Sequence, residues 1–200
     1  MISAVDWIIH HSLEIAGALG GLGYVFFSIR RNILLWPIGF LTAGLYIIVF
    51  LNSKLYATML LQVYYLGISV YGWYYWKYGD KSNQGDAKHI MVKRIPINII
   101  LICILSTVCI EFPIYWILKN FTDSPYPVLD SITATFSIIA TWMLARKYIE
   151  NWIIWIVSDS ISLGLYFYMK LYATTGLFLA YVILAFIGYF EWKKELSVKN

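Results

Sequence analysis

Trp152, Trp155 and Asp159 stand at i, i+3 and i+7 within one apolar run. On a helix that spacing puts all three on one face. Two indole rings beside a carboxylate make a cradle for a flat cationic ring. The indole faces attract it by stacking and cation–π contact, and the carboxylate supplies a countercharge and a hydrogen-bond acceptor. Trp152 lies near one end of the run and taken alone reads as part of an interfacial aromatic belt. Asp159 does not fit that reading, because it lies about two turns inside the run. A carboxylate at such depth is costly and marks a functional site by default.

A second group is Gln62, Tyr65, Ser69 and Trp73, again close to one helical face. Gln62 can both donate and accept hydrogen bonds. These residues read either as a second wall of the same site or as polar glue between helices, which membrane proteins commonly use. Asp130, followed by Ser131, Thr133 and Thr135, is expected as an N-terminal cap or first-turn charge of a helix beginning near it. Glu14 invites the same assignment. Glu111, just before Pro113, is expected at the outer interface rather than the centre of its run. Gly17, Gly20, Gly21 and Gly23 allow close helix contact and read as packing.

Several chemistries find no residues to carry them. There is no glycine-rich loop ending in Lys-Ser or Lys-Thr, so no ATP-driven motor is encoded. No Ser/His/Asp or Cys/His arrangement occurs. His10, His11 and His89 all fall outside the apolar runs. Cys103 and Cys109 share one apolar segment, which argues against a disulfide and a metal site. No catalytic residue, metal or cofactor is expected. The chain starts without a basic region ahead of an apolar core, since Asp6, His10 and His11 precede the first run, so no cleavable signal is expected.

These residues need a membrane scaffold. Charged residues are 13% of the chain and apolar ones 60%, against about 25% charged in soluble domains. Mean hydropathy is +0.69. The nine Trp and seventeen Tyr suit anchoring at membrane interfaces. Seven runs are long enough to span a bilayer, roughly 12–29, 33–52, 55–76, 95–117, 127–145, 149–169 and 171–191. The stretch 77–94 is expected to be a solvated connection, and 119–127 a softer loop with Pro125 and Pro127 suited to a helix start or turn. Alternating the loops by side puts 3 Lys/Arg on one face and 12 on the other. The positive-inside rule then places the N-terminus outside and the C-terminus in the cytoplasm. The net charge of +4 comes from these short loops, so it reads as a topology signal and not as a nucleic-acid patch.

The chain also repeats itself. Shifted by 116 positions, Arg30 to Lys77 lies on Arg146 to Lys193. Arg30, Ile33, Trp36 and Ile38 meet Arg146, Ile149, Trp152 and Ile154. Lys54-Leu55-Tyr56-Ala57-Thr58 meets Lys170-Leu171-Tyr172-Ala173-Thr174. Leu61, Tyr65, Gly72, Trp76 and Lys77 meet Leu177, Tyr181, Gly188, Trp192 and Lys193. The expected architecture is an all-α integral membrane protein of seven transmembrane helices in a parallel 3+1+3 repeat, with a pseudo-twofold axis along the membrane normal. Residues 1–76 form the first three-helix bundle, 77–118 the cytoplasmic loop and linker helix, and 119–200 the second bundle. Substrate would sit between the bundles near the midplane.

The run Arg146-Lys147-Tyr148-Ile149-Glu150-Asn151-Trp152-Ile153-Ile154-Trp155, followed by Asp159, resembles the signature of the PnuC vitamin transporters. So do Leu55-Tyr56-Ala57, Leu60-Leu61-Gln62 and Tyr71-Gly72-Trp73. The resemblance covers nearly the whole chain. It implies a homotrimer in the bacterial inner membrane that takes up a vitamin by facilitated diffusion. Nicotinamide riboside, thiamine and riboflavin are the family's cargoes, trapped inside by cytosolic kinases. By motif, Trp152, Trp155 and Asp159 would bind substrate from the sixth helix and Gln62 from the third. The chain departs from nicotinamide riboside carriers, which usually have Asn where Asp159 stands and often Asn where Ser69 stands. Nicotinamide riboside is the leading expectation, with thiamine the alternative, since both carry a cationic aromatic ring. A membrane vitamin-binding protein without transport would keep the same site. An intramembrane enzyme would need a nucleophile–base pair or metal ligands inside the spans, and neither is present.

Overall fold

The structure is a computed structural model that describes residues 12–52, 56–79 and 91–197, with the backbone alone described at 12–16, 49, 52 and 56–58. Asp6, His10, His11, Lys54 and His89 lie outside the described residues, as does the side chain of Glu14. Among the described residues there are seven helices: α1 (Ser12–Ile29), α2 (Leu35–Asn52), α3 (Tyr56–Tyr78), α4 (Ile97–Phe121), α5 (Pro127–Ala145), α6 (Asn151–Tyr168) and α7 (Tyr172–Ser197). Of these, α4, α5 and α7 are each long and apolar enough to cross a membrane. Leu101, Leu105, Val108 and Phe112 of α4 are exposed. An outer face of that kind is stable in lipid and not in water.

The helices close into a ring. α1 packs on α2, α2 on α3, α3 on α5, α5 on α6, α6 on α7, and α7 returns to α1, while α4 packs on α5 from outside. Two tryptophans at positions 116 apart hold the ring at one end. Trp36 and Trp152 are buried, and each meets a second indole edge-on: Trp76 at 5.4 Å and Trp192 at 5.6 Å. Both first indoles lie over a glycine. A Cβ on Gly72 would come within 2.4 Å of Trp36, and one on Gly188 within 2.6 Å of Trp152, so any side chain there would displace the ring. Trp76 Nε1 donates to the Ala145 carbonyl at 3.0 Å, and Trp192 Nε1 to the Ser28 carbonyl at 3.1 Å. α3 thus grips α5 at its end, and α7 grips α1 at its end.

α1 and α5 finish the same way. Arg31 (φ 54°) and Lys147 (φ 57°) adopt the left-handed conformation without being glycine, at a cost of about 1–2 kcal/mol each. The next residues close the helices: Asn32 N–H donates to the Phe27 carbonyl at 2.9 Å and Tyr148 N–H to the Met143 carbonyl at 3.0 Å. This is the six-to-one closure that caps a helix end.

One expectation needs correction. The stretch 77–94 is not solvated throughout: Val92 is buried, and Lys93 forms an isolated parallel bridge with Tyr148. Val92 N–H donates to Glu195 at 3.1 Å and Ile95 N–H to Glu150 at 3.1 Å, so this strap crosses the ends of α5–α6 and α7. Glu111 accepts the hydroxyls of Ser131 (2.7 Å) and Thr135 (2.9 Å) and so ties α4 to α5. Of the two places expected for Asp130, the structure shows the first turn: α5 begins at Pro127, and Asp130 accepts from Ser124 at 2.5 Å.

Candidate functional site

Asp159 lies mid-way along α6 and is 7% exposed. It accepts no hydrogen bond from the described residues. Tyr65 on α3 and Tyr181 on α7 both lie within its electrostatic reach. These two tyrosines stand 116 positions apart, one on α3 and the other on α7. Burying a carboxylate without a donor or a cation is expensive. A ligand that brings either one relieves that cost.

Trp155, one turn from Asp159, is half-buried and packs against the cluster around Trp36 and Trp152. Its place reflects a redistribution of bulk between the halves. In the first half Gly39 stands at the corresponding position, and a Cβ there would meet the Tyr24 ring at 2.9 Å and Ser69 Oγ at 3.1 Å. The counterparts of Tyr24 and Ser69 are Ala140 and Ala185, both buried. The ring that α1 supplies in the first half is supplied by Trp155 from α6 in the second.

Gln62 sits three residues before Tyr65 on α3, is half-buried, and makes no side-chain hydrogen bond with the described residues. Its amide is therefore available to a ligand. Ser69 is buried, but its hydroxyl donates to the Tyr65 carbonyl at 2.7 Å, one turn back on its own helix. Trp152 is 2% exposed and belongs to the Trp192 and Gly188 packing unit. Trp73 is 37% exposed, with the Lys77 ammonium 4.6 Å from its ring and Tyr78 against its edge. The structure thus brings Tyr65 to Asp159, keeps Trp155 and Gln62 one turn from that pair, and leaves Trp152 and Trp73 elsewhere. Trp152 is held in the core by its glycine, and Trp73 faces outward near the end of α3.

Sequence reasoning overlooked the residues that complete the wall. Ser137 on α5 lies within hydrogen-bonding reach of the Tyr65 hydroxyl and itself donates to the Thr133 carbonyl at 2.8 Å. Tyr181 reaches across to Gly21. The signal for Tyr181 was available, because the internal repeat pairs it with Tyr65.

A cavity of about 280 Å³ lies elsewhere, between α4, α5 and α6. Its lining is Ile100, Cys103, Ile139, Met143, Val157 and similar side chains, with Thr107 the only polar one, so it offers no polar recognition.

A family model described as nicotinamide mononucleotide transporter matches residues 11–194. The chain is 26% identical to the nicotinamide riboside transporter PnuC of Escherichia coli (strain K12), across 88% of this chain and 81% of that protein. It is 24% identical to the riboflavin/roseoflavin transporter RibM of Streptomyces davaonensis, across 90% of this chain and 83% of that protein. The crystal structure of the vitamin B3 transporter PnuC superposes with a TM-score of 0.74 at 22% identity, covering 98% of this chain and 88% of that one. That likeness shows the fold.

Proposed function

The chain belongs to the nicotinamide mononucleotide transporter family, the family of the PnuC proteins, and from that premise we propose that it carries a vitamin with a cationic aromatic ring into the cell. The family assignment makes it a multi-pass membrane transporter and not an enzyme. The observation that supports the substrate class is Asp159, buried on α6 without a hydrogen-bond donor among the described residues and facing Tyr65 and Tyr181. A pyridinium or thiazolium ring stacked on Trp155 would place its positive charge beside that carboxylate, and Gln62 would hydrogen-bond the ligand's polar substituents. Nicotinamide riboside is the leading substrate. Thiamine is the second reading, favoured by the carboxylate itself. Riboflavin, with a neutral isoalloxazine, offers Asp159 hydrogen-bond donors but no positive charge to pair with.

In this reading residues 1–76 and 119–200 are two parallel three-helix bundles joined by 77–118. The matching indole pairs over Gly72 and Gly188 and the left-handed ends at Arg31 and Lys147 support that division. The N-terminus faces outside and the C-terminus the cytoplasm of a bacterial inner membrane, supported by the 3-against-12 distribution of Lys and Arg. Three copies assemble, uptake is facilitated diffusion, and a cytosolic kinase traps the product, as in the family the chain resembles. The decisive experiment titrates the purified protein with nicotinamide riboside, thiamine and riboflavin. Binding of at least one cationic vitamin and none of riboflavin is expected. A clear preference for riboflavin would overturn the role given to Asp159.

A further inference from the structure

Tyr65 and Tyr181 occupy matching positions on α3 and α7, but their hydroxyls end in different surroundings. Tyr65 points to α5, where Ser137 lies within hydrogen-bonding reach. The counterpart of Ser137 on α1 is Gly21. A Cβ built there would come within 2.3 Å of the Tyr181 hydroxyl oxygen. Glycine thus gives the second tyrosine room and offers it no side-chain partner. Among the described residues the Tyr181 hydroxyl makes no hydrogen bond. Its ring is held edge-on by Phe178 at 5.6 Å, and Asp159 lies within electrostatic reach. The ring of this half-buried phenol is fixed, and its hydroxyl has no partner among the described residues. It is suited to hydrogen-bond a ligand that arrives next to Asp159.

We propose that Tyr181 is a substrate-contacting residue whose hydroxyl is kept free by Gly21 to hydrogen-bond a polar substituent of the bound vitamin, whereas its counterpart Tyr65 has the Ser137 side chain beside it. This rests on the reading of the Asp159 region as the substrate site and adds a specific contact to it. A hydroxyl on α7 facing a carboxylate on α6 gives the site two polar groups from the second bundle, against Gln62 from the first. It selects for cationic rings that also carry a hydroxyl or amino group.

The test compares Tyr181→Phe with Tyr65→Phe in two measurements on the purified full-length protein. The first is affinity for nicotinamide riboside and for thiamine. Tyr181→Phe is expected to weaken whichever vitamin the wild type binds by about five- to tenfold, the range of one lost hydrogen bond. Gly21→Ala, which pushes the hydroxyl from its place, is expected to do the same. The second measurement is the unfolding temperature without ligand. Tyr181→Phe should leave it unchanged or raise it, because an unsatisfied hydroxyl is removed, while Tyr65→Phe should lower it. Unchanged affinity in Tyr181→Phe overturns the proposal even if Trp155→Ala and Asp159→Ala weaken binding and so support the site. An unfolding temperature lowered as far as in Tyr65→Phe also overturns it, because the hydroxyl would then be braced by the fold. Absence of binding by either vitamin to the wild type overturns the substrate reading and this proposal with it.

Discussion

Trp36 and Trp152 recur at 116 positions and hold the scaffold, whereas the proposed site joins the recurring Tyr65 and Tyr181 to residues that differ between the halves. Trp36 and Trp152 are the same and fill the same slot over Gly72 and Gly188. Trp155 and Asp159 answer to Gly39 and Ala43, and Gln62 to Phe178. On this basis Trp155→Ala should weaken vitamin binding about tenfold, since one desolvated cation–π contact is worth about 1–2 kcal/mol. Trp152→Ala should act on the fold instead, lowering stability by about 3–5 kcal/mol as an indole is removed from the core. Calorimetric titration together with thermal unfolding of the two variants separates them; the expectation fails if Trp152→Ala loses affinity while keeping wild-type stability. Asp159→Asn keeps the shape and removes the charge. It should be tolerated, or improve binding, if the substrate is nicotinamide riboside, and should clearly weaken thiamine if that is the cargo. Titration of this variant with both vitamins reads the difference. The depth of Asp159 was legible in the sequence because a carboxylate inside an apolar run is too costly to stand there without a use. The burial of Trp152 was not, since helical spacing gives the face a residue shares but not which neighbour fills the space in front of it. The repeat held that clue, in the glycines that accompany both tryptophans.

Helix positions were the most legible elements, because apolar runs of bilayer length can satisfy their backbone in lipid only as helices. The ends of α1 and α5 were not legible: Arg31 and Lys147 take a conformation usually left to glycine, held there by the closing hydrogen bonds of Asn32 and Tyr148. The strap from Val92 to Ile95 was also hidden, since its pairing is made by backbone groups with partners far along the chain. Lys147 lies beneath this strap, 6% exposed, with its ammonium 4.3 Å from the Trp76 ring. Burial pushes its pKa down to about 8, Arg31 adds to the shift, and Glu195 opposes it. Below that value the ammonium is charged in both folded and unfolded chains, and burying it is costly. Between about 8 and the ordinary 10.5 the folded chain has released the proton and the unfolded chain has not. The unfolded state then binds more protons, so stability rises with pH across that window. Thermal unfolding followed from about pH 7.5 to about pH 10 should show this rise in the wild type and a smaller one in Lys147→Met. Parallel profiles in the two proteins would rule out this account of Lys147.

At the scale of the whole molecule, six helices close a ring in which α3 meets α5 and α7 meets α1, and the functional asymmetry sits inside that near-symmetric frame. In the proposed reading, one bundle rocks against the other with the vitamin between them. Its orientation is set by charge: a cytoplasm-dependent reporter fused after Asn200 should be active, and activity only from an N-terminal fusion would invert the topology. The energetics follow from what the bundles lack. The sequence contains no nucleotide-binding loop, and no group of three or more metal-ligating side chains occurs among the described residues. The polar groups brought to the site are one carboxylate, an amide and phenols. A carboxylate that pairs with the vitamin's own positive charge has no remaining charge with which to couple a sodium ion or a proton in the loaded state. The carrier should therefore only equilibrate its substrate. Accumulation then requires chemistry beyond the membrane that removes the free vitamin, and phosphorylation does so by adding charges that the ring interior cannot accept. In proteoliposomes, labelled vitamin should reach equal concentration on both sides, at a rate unaffected by sodium or pH gradients. It should exceed that level only when a vitamin kinase and ATP are enclosed. Uphill uptake driven by an ion gradient alone would show that the site carries a second, coupled cation.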